Sequence, residues 1–229
     1  MGSPYHQFCP VSKAMELLDE RWTLLVIREF LIGSERFNDL RRGLPRMSPT
    51  LLSRRLQQLE HAGLVERRVD GKDVRYTLTE AGRELQPVVE AVGAWGSRWV
   101  AELADRDLDP KFLMWDMHRN VDLGAVPQNR TVMKFRFPEA PQVCRDWWLV
   151  VAEAETDACD VDPGFEVAVT VTASLRTLTA VWRGDRTWSA ALRSGSIDVE
   201  GPAELRRALT GWFTDANSGG IPIPEPRLV

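Results

Sequence analysis

The chain has 229 residues, 44% of them apolar and 27% charged, ordinary globular proportions that exclude a collagen-like, low-complexity or wholly disordered protein. At roughly 150 residues per domain, it is long enough for one large domain or two small ones. The net charge of −4 conceals an asymmetry: residues 1–104 carry 15 Lys/Arg against 14 Asp/Glu, and residues 105–229 carry 14 against 19. The longest apolar run, Trp147 to Ala152, is far short of the roughly 20 residues that a membrane helix needs. No basic region followed by an apolar signal core opens the chain, so a soluble, cytoplasmic protein is expected. Cys9, Cys144 and Cys159 form no CxxC pair, which fits a reducing compartment rather than a disulfide framework. His6, His61 and His118 are far apart, and neither a metal site nor a cofactor is expected.

In chain order, Ser12 to Asp19 reads as a short amphipathic helix. Trp22 to Ile32 reads as a buried one ended by Gly33, and Phe37 to Leu44 as a third. Ser48-Pro49 then opens the most informative helix, with Ser48 as N-cap and Pro49 where the backbone N–H has no helical partner. At 100° per residue Leu52, Leu56 and Leu59 share one side, while Thr50, Ser53, Arg54, Gln57 and His61 share the other. The first three turns carry no acid. Two strand-like runs follow Gly63, Leu64 to Val69 and Val74 to Leu78, joined by the turn signal Asp70-Gly71-Lys72. Arg67, Arg68, Lys72 and Arg75 make this hairpin basic, and residues 36–75 together hold 10 basic against 5 acidic side chains. Thr79 caps a final helix in which Leu85, Val88, Val92, Trp95, Trp99 and Leu103 form an apolar seam, with a kink expected at Pro87.

Residues 105–110 read as a linker between a domain at 1–104 and a second at 111–216. Alternation at Met133, Phe135 and Phe137 predicts a strand, Trp147 to Val151 a more buried one, and Val167 to Val171 a third. Helices are expected at Leu175–Trp182, Trp188–Leu192 and Pro202–Phe213, with a strand at Ser196–Glu200. The tail 217–229, rich in glycine and proline, reads as loose. Asp116 and Asp185 stand as isolated carboxylates with no evident partner. No nucleophile elbow, phosphate loop or metal motif is present, so an enzyme is not expected.

Helix, helix, turn, polar-faced helix, basic hairpin is the order of a winged helix-turn-helix, in which one helix reads base edges in the major groove and the hairpin tracks phosphates. The expected DNA contacts are Ser48, Pro49, Thr50, Ser53, Arg54, Arg55 and Gln57 on the helix, and Arg67, Arg68, Lys72 and Arg75 on the hairpin. Cys9-Pro10-Val11, Arg21-Trp22-Thr23-Leu24-Leu25-Val26-Ile27-Arg28, Arg36-Phe37-Asn38-Asp39-Leu40 and Ser48-Pro49-Thr50-Leu51-Leu52-Ser53-Arg54-Arg55-Leu56 carry a family resemblance. Gly63-Leu64-Val65-Glu66-Arg67, Tyr76-Thr77-Leu78-Thr79 and Gly82-Arg83 complete it. Over residues 9–104 the chain resembles the HxlR family of bacterial transcriptional regulators. That resemblance implies homodimers on double-stranded operator DNA, with terminal helices forming the dimer and Leu85, Val88, Val92, Trp95 and Trp99 as the candidate interface. Some members sense electrophiles or oxidants through a cysteine at the position of Cys9, so Cys9 is the candidate redox residue.

Residues 111–213 resemble the sterol carrier protein fold, through Leu113-Met114-Trp115-Asp116-Met117, Leu178-Thr179-Ala180-Val181-Trp182 and Ser196-Ile197-Asp198-Val199-Glu200-Gly201-Pro202. That fold implies an apolar tunnel. Phe135, Phe137, Trp147, Leu149, Trp182 and Trp188 are the candidate lining for a lipophilic effector, and ordinary core packing is the competing reading of the same residues. The whole is an α+β chain: a winged helix-turn-helix domain with a dimerisation helix, then a smaller sheet-and-helix domain of sterol-carrier type. The expected function is a homodimeric DNA-binding regulator, more simply a repressor, under effector control. Two alternatives stand beside it: a thiol switch at Cys9, and a lipid-binding or protein-interaction module that no longer binds DNA.

Overall fold

The computed structural model describes residues 4–100, 102–127, 130–152 and 155–214, and the expectation of a loose tail at 217–229 lies outside them. The chain divides into two compact units, with the boundary between residues 100 and 101.

In the first unit α1 (Pro10–Leu18), α2 (Thr23–Leu31), α3 (Phe37–Gly43) and α4 (Pro49–His61) precede the antiparallel hairpin β1 (Val65–Asp70) and β2 (Asp73–Leu78). A single turn, α5 (Glu80–Arg83), and the longer α6 (Gln86–Trp99) follow. Val26, Ile27, Leu40, Leu52, Leu56 and Leu59 are buried together as the helical periodicity requires. Glu29 is also fully buried, and its carboxylate accepts from Arg28 Nη2 at 2.6 Å and Ser34 Oγ at 3.4 Å. Gly43 of α3 packs on that carboxylate so closely that a Cβ would lie 1.9 Å from Glu29 Oε2, so a larger residue there would force the carboxylate to shift. The hairpin turns at Gly71, φ +57°, followed by Lys72, with Asp70 paired to Asp73, the pattern of a II′ turn. The expected single long helix after Thr79 is two: Leu85 separates α5 from α6, and Pro87 occupies the first turn of α6, where its missing N–H costs nothing.

The second unit opens with one 3₁₀ turn at Asp105–Asp107, in which Asp107 accepts from the Ala104 N–H at 3.0 Å, and continues directly into α7 (Pro110–Arg119). Of residues 105–110, read from sequence as a linker, Asp105–Asp107 form the 3₁₀ turn and Pro110 opens α7, and Asp105 pairs with Arg176. β3 (Thr131–Arg136), β4 (Asp146–Ala152), β5 (Glu155–Cys159), β6 (Val169–Ala173) and β7 (Ile197–Glu200) form one sheet in the order β5-β4-β3-β6-β7. The pairs are antiparallel except β3 with β6. α8 (Leu175–Trp182) and α9 (Trp188–Arg193) connect β6 to β7, and α10 (Ala203–Ala208) runs into a closing 3₁₀ turn. Register places Phe135 beside Trp147 and Val171, and Met133 beside Leu149 and Val169, so one sheet face is apolar and buried.

Asp116 is not isolated. It is 2% exposed on α7 and accepts from Trp182 Nε1 at 2.8 Å and Arg119 Nη2 at 2.9 Å, tying α7 to α8. A carboxylate inside an apolar helix stretch is tolerated because charged and polar donors meet it there.

Candidate nucleic-acid interface

Ser48 has extended backbone (φ −67°, ψ 147°) and its Oγ accepts from the Leu51 N–H at 3.2 Å, so the cap begins α4 where the sequence reading placed it. Thr50, Ser53, Arg54, Gln57 and His61 are exposed, together with Ser48 and Pro49, while Leu52, Leu56 and Leu59 anchor the opposite side. The exposed face is a row of hydroxyls, an amide and a guanidinium, the donor and acceptor set that reads base edges. The N-terminal end of α4 adds the positive end of the helix dipole, which favours phosphate.

Arg55 departs from the expected set. It is 5% exposed and hydrogen-bonded to Gln58, Glu20 and the Arg21 carbonyl, so it faces the protein rather than DNA. The reason is rotational: position 55 lies three residues after Leu52 and four before Leu59, on the leucine side of the helix.

Arg67, Arg68, Lys72 and Arg75 are all exposed on the hairpin. Arg67, Lys72 and the helix residue Arg54 make no ion pair among the described residues. Arg68 pairs with Glu66 at 3.2 Å. Arg75 reaches Asp73 at 2.9 Å and Glu35 at 3.1 Å, and Arg36 also reaches Asp73, so β2 is braced against the residues just ahead of α3. The Arg75 guanidinium, followed by that of Arg36, holds the Asp73 carboxyl below its ordinary value, and Asp73 raises Arg75 in return. Tyr76 N–H donates to the Glu35 carbonyl at 2.8 Å and closes the same joint. Sequence reasoning missed Arg41 and Arg46, exposed at the end of α3 and just ahead of the α4 cap. Basic residues flanking a capped helix start were the available signal.

Cys9 is the N-cap residue of α1 and is half-buried. Its sulfur makes no capping hydrogen bond, yet the Ser12 N–H, followed by that of Val11, holds the thiol below its ordinary value. Leu85, just ahead of α6, is half-buried, whereas Val88, Val92, Trp95 and Trp99 on α6 are exposed, Trp95 at 61% and Trp99 at 69%. Pro87, Val88, Ala91, Val92 and Trp95 line a shallow apolar groove. In the second unit Phe135, Phe137, Trp147, Leu149 and Trp182 are buried members of one core. Trp188 is half-buried against that core and stacks on Phe213 with ring centroids 6.2 Å apart. Phe213 also meets Trp182 edge-on at 5.7 Å.

The family model of HxlR-like helix-turn-helix proteins matches residues 17–104. The HTH-type transcriptional regulator YvaP of Bacillus subtilis is 34% identical over 111 residues, which is 47% of this chain and 95% of that protein. The HTH-type transcriptional regulator YodB of Bacillus subtilis is 37% identical, covering 40% of this chain and 85% of YodB. The crystal structure of the reduced form of YodB matches 41% of this chain and 95% of its own, at 36% identity and a TM-score of 0.37. No helix among the described residues is long and apolar enough to cross a membrane. The capped polar-faced helix, the basic hairpin behind it and relatives matched over most of their length lead to one statement: the chain belongs to the HxlR family of helix-turn-helix, DNA-binding transcriptional regulators.

Proposed function

We propose that this regulator is a homodimer on a twofold-symmetric operator, each protomer reading one half-site with α4 and holding the flanking phosphates with the β1–β2 hairpin. The observation that carries the reading is the exposed, acid-free face of Ser48, Thr50, Ser53, Arg54 and Gln57, together with the exposed Arg67 and Lys72 of the hairpin, which make no ion pair among the described residues. The α6 stripe supports the dimer, since large contiguous apolar surface on a soluble chain marks an interaction surface. Repression follows from occupancy, because a dimer covering a duplex excludes other proteins from it. Footprinting on a selected duplex tests this: two protected half-sites with centres about 34 Å apart are expected. A single asymmetric footprint at one protomer per duplex contradicts it.

A second reading concerns the signal. Cys9, with its thiol pKa lowered at the start of α1, has the thiolate character that oxidants and electrophiles attack. Under this reading Cys9→Ser binds the operator as before and loses release by oxidant; release that persists in the variant rules it out. A lipophilic effector in a sterol-carrier-type second unit is the other candidate signal, shifting the population of dimer geometries. The half-buried Trp188, stacked on Phe213 at the edge of an aromatic core, supports it. Lipophilic ligands that change neither tryptophan fluorescence nor operator affinity count against it.

A further inference from the structure

Arg55 donates from Nη1 to Gln58 Oε1 at 2.7 Å, and from Nη2 to both Glu20 Oε2 and the Arg21 carbonyl at 3.1 Å. Glu20 and Arg21 lie in the turn between α1 and α2, so one buried cation ties that turn to the helix carrying the exposed reading face. The turn is itself unusual. Trp22 adopts φ +79°, ψ −14°, a left-handed conformation that bulky side chains seldom take and that persists only where the surroundings fix it. The hydrogen bond from Arg55 to the Arg21 carbonyl pins the peptide immediately before Trp22, and the Arg21 guanidinium lies 5.4 Å from the centre of the Trp22 ring.

Stability alone does not account for a cation at this position. Leu52, Leu56 and Leu59 surround it on the same side of α4, and pairing this buried guanidinium with the half-exposed Glu20 contributes little beyond what a well-packed apolar side chain of similar volume would. What such a pair fixes is register. A leucine could sit at several rotations of α4 about its axis, whereas two directed hydrogen bonds to the α1–α2 turn, from a guanidinium held by Gln58 of the same helix, admit one. Ser53, Arg54 and Gln57 are rigidly attached to that rotation.

We infer that Arg55 is a positioning residue: by latching α4 to the α1–α2 turn it sets the axial rotation at which the reading face meets the base edges, without touching DNA. The inference rests on the proposed reading of α4 as the base-contacting helix. It also makes the turn after α1 part of specificity, although neither Glu20 nor Arg21 lies on the DNA-facing helix.

The test uses the full chain with a duplex selected by the wild type and a random duplex, comparing Arg55→Leu, Arg55→Lys and Glu20→Ala. Arg55→Leu keeps the thermal stability of the wild type but lowers the ratio of selected to random affinity about tenfold, the scale of one base contact, with an unchanged salt slope. Glu20→Ala reproduces that loss, and the double variant adds nothing to it, as coupled partners require. Arg55→Lys, which cannot serve all three acceptors, is intermediate. An unchanged ratio in Arg55→Leu overturns the inference, as does a salt slope reduced by about one, the mark of a phosphate contact. Hydrogen exchange in the free protein separates this from failure of the DNA reading. Faster exchange along α4 than along β1–β2 in Glu20→Ala upholds the latch even if no duplex is selected, and equal rates refute it.

Discussion

Arg54 and Arg55 are adjacent in sequence, yet 100° of helical rotation gives them opposite surroundings, one exposed on the polar face and the other buried beside the leucines. Removing Arg54 therefore acts on recognition: Arg54→Ala is expected to cost about 1–3 kcal/mol on the selected duplex and to relax preference at one base step. Equal losses on selected and random duplex would reduce Arg54 to a phosphate contact. Lys72 lies at the hairpin tip with no ion pair among the described residues. Lys72→Ala should weaken all duplexes alike and lower the salt slope by about one, which a titration at several salt concentrations reads directly. Asp116 belongs to folding rather than recognition. Asp116→Ala removes the acceptor for Trp182 and Arg119 and is expected to destabilise the second unit by about 3–5 kcal/mol in denaturant unfolding, with duplex affinity per folded molecule preserved.

At the scale of elements, the hairpin and α4 were legible because each carries several agreeing signals: a cap, a proline at the first turn, leucines three and four apart, and a glycine at a tight turn. α7 and β5 were not. α7 mixes Lys111, Asp116, His118 and Arg119 with its apolar residues, and its one buried charge meets, besides Arg119 a turn away, the indole of Trp182, distant in sequence. β5, Glu155–Cys159, is an edge strand with little buried surface, so no alternation marks it. The apolar seam of α6 was legible as a pattern, and the described residues of the first unit leave most of it uncovered. Trp95→Asp should leave the protein folded, since Trp95 is 61% exposed, and weaken the proposed dimer by about 2 kcal/mol or more, as an interface centre does. Sedimentation of the variant at micromolar concentration reads the outcome, and an unchanged dimer would place the interface elsewhere.

For the molecule as a whole, composition and periodicity read a helical first half and a mixed second half, and the structure has two compact units with a boundary between residues 100 and 101. They did not distinguish core from pocket in the second unit. An aromatic residue on a strand face has the same pattern whether it packs on its neighbours or lines a hollow, and Phe135, Phe137 and Leu149 are fully buried in the core. Nor could periodicity reveal that Arg55 serves the turn after α1, a contact set by tertiary packing alone.

The central claim, a dimer reading a symmetric operator with α4, is tested most directly by selecting from a duplex library at two salt concentrations and sequencing what the full chain retains. The account predicts one twofold-symmetric motif whose half-site centres lie about one helical turn apart, bound with a steep salt dependence. Retention without any sequence enrichment, equally strong at both salt concentrations, would contradict it.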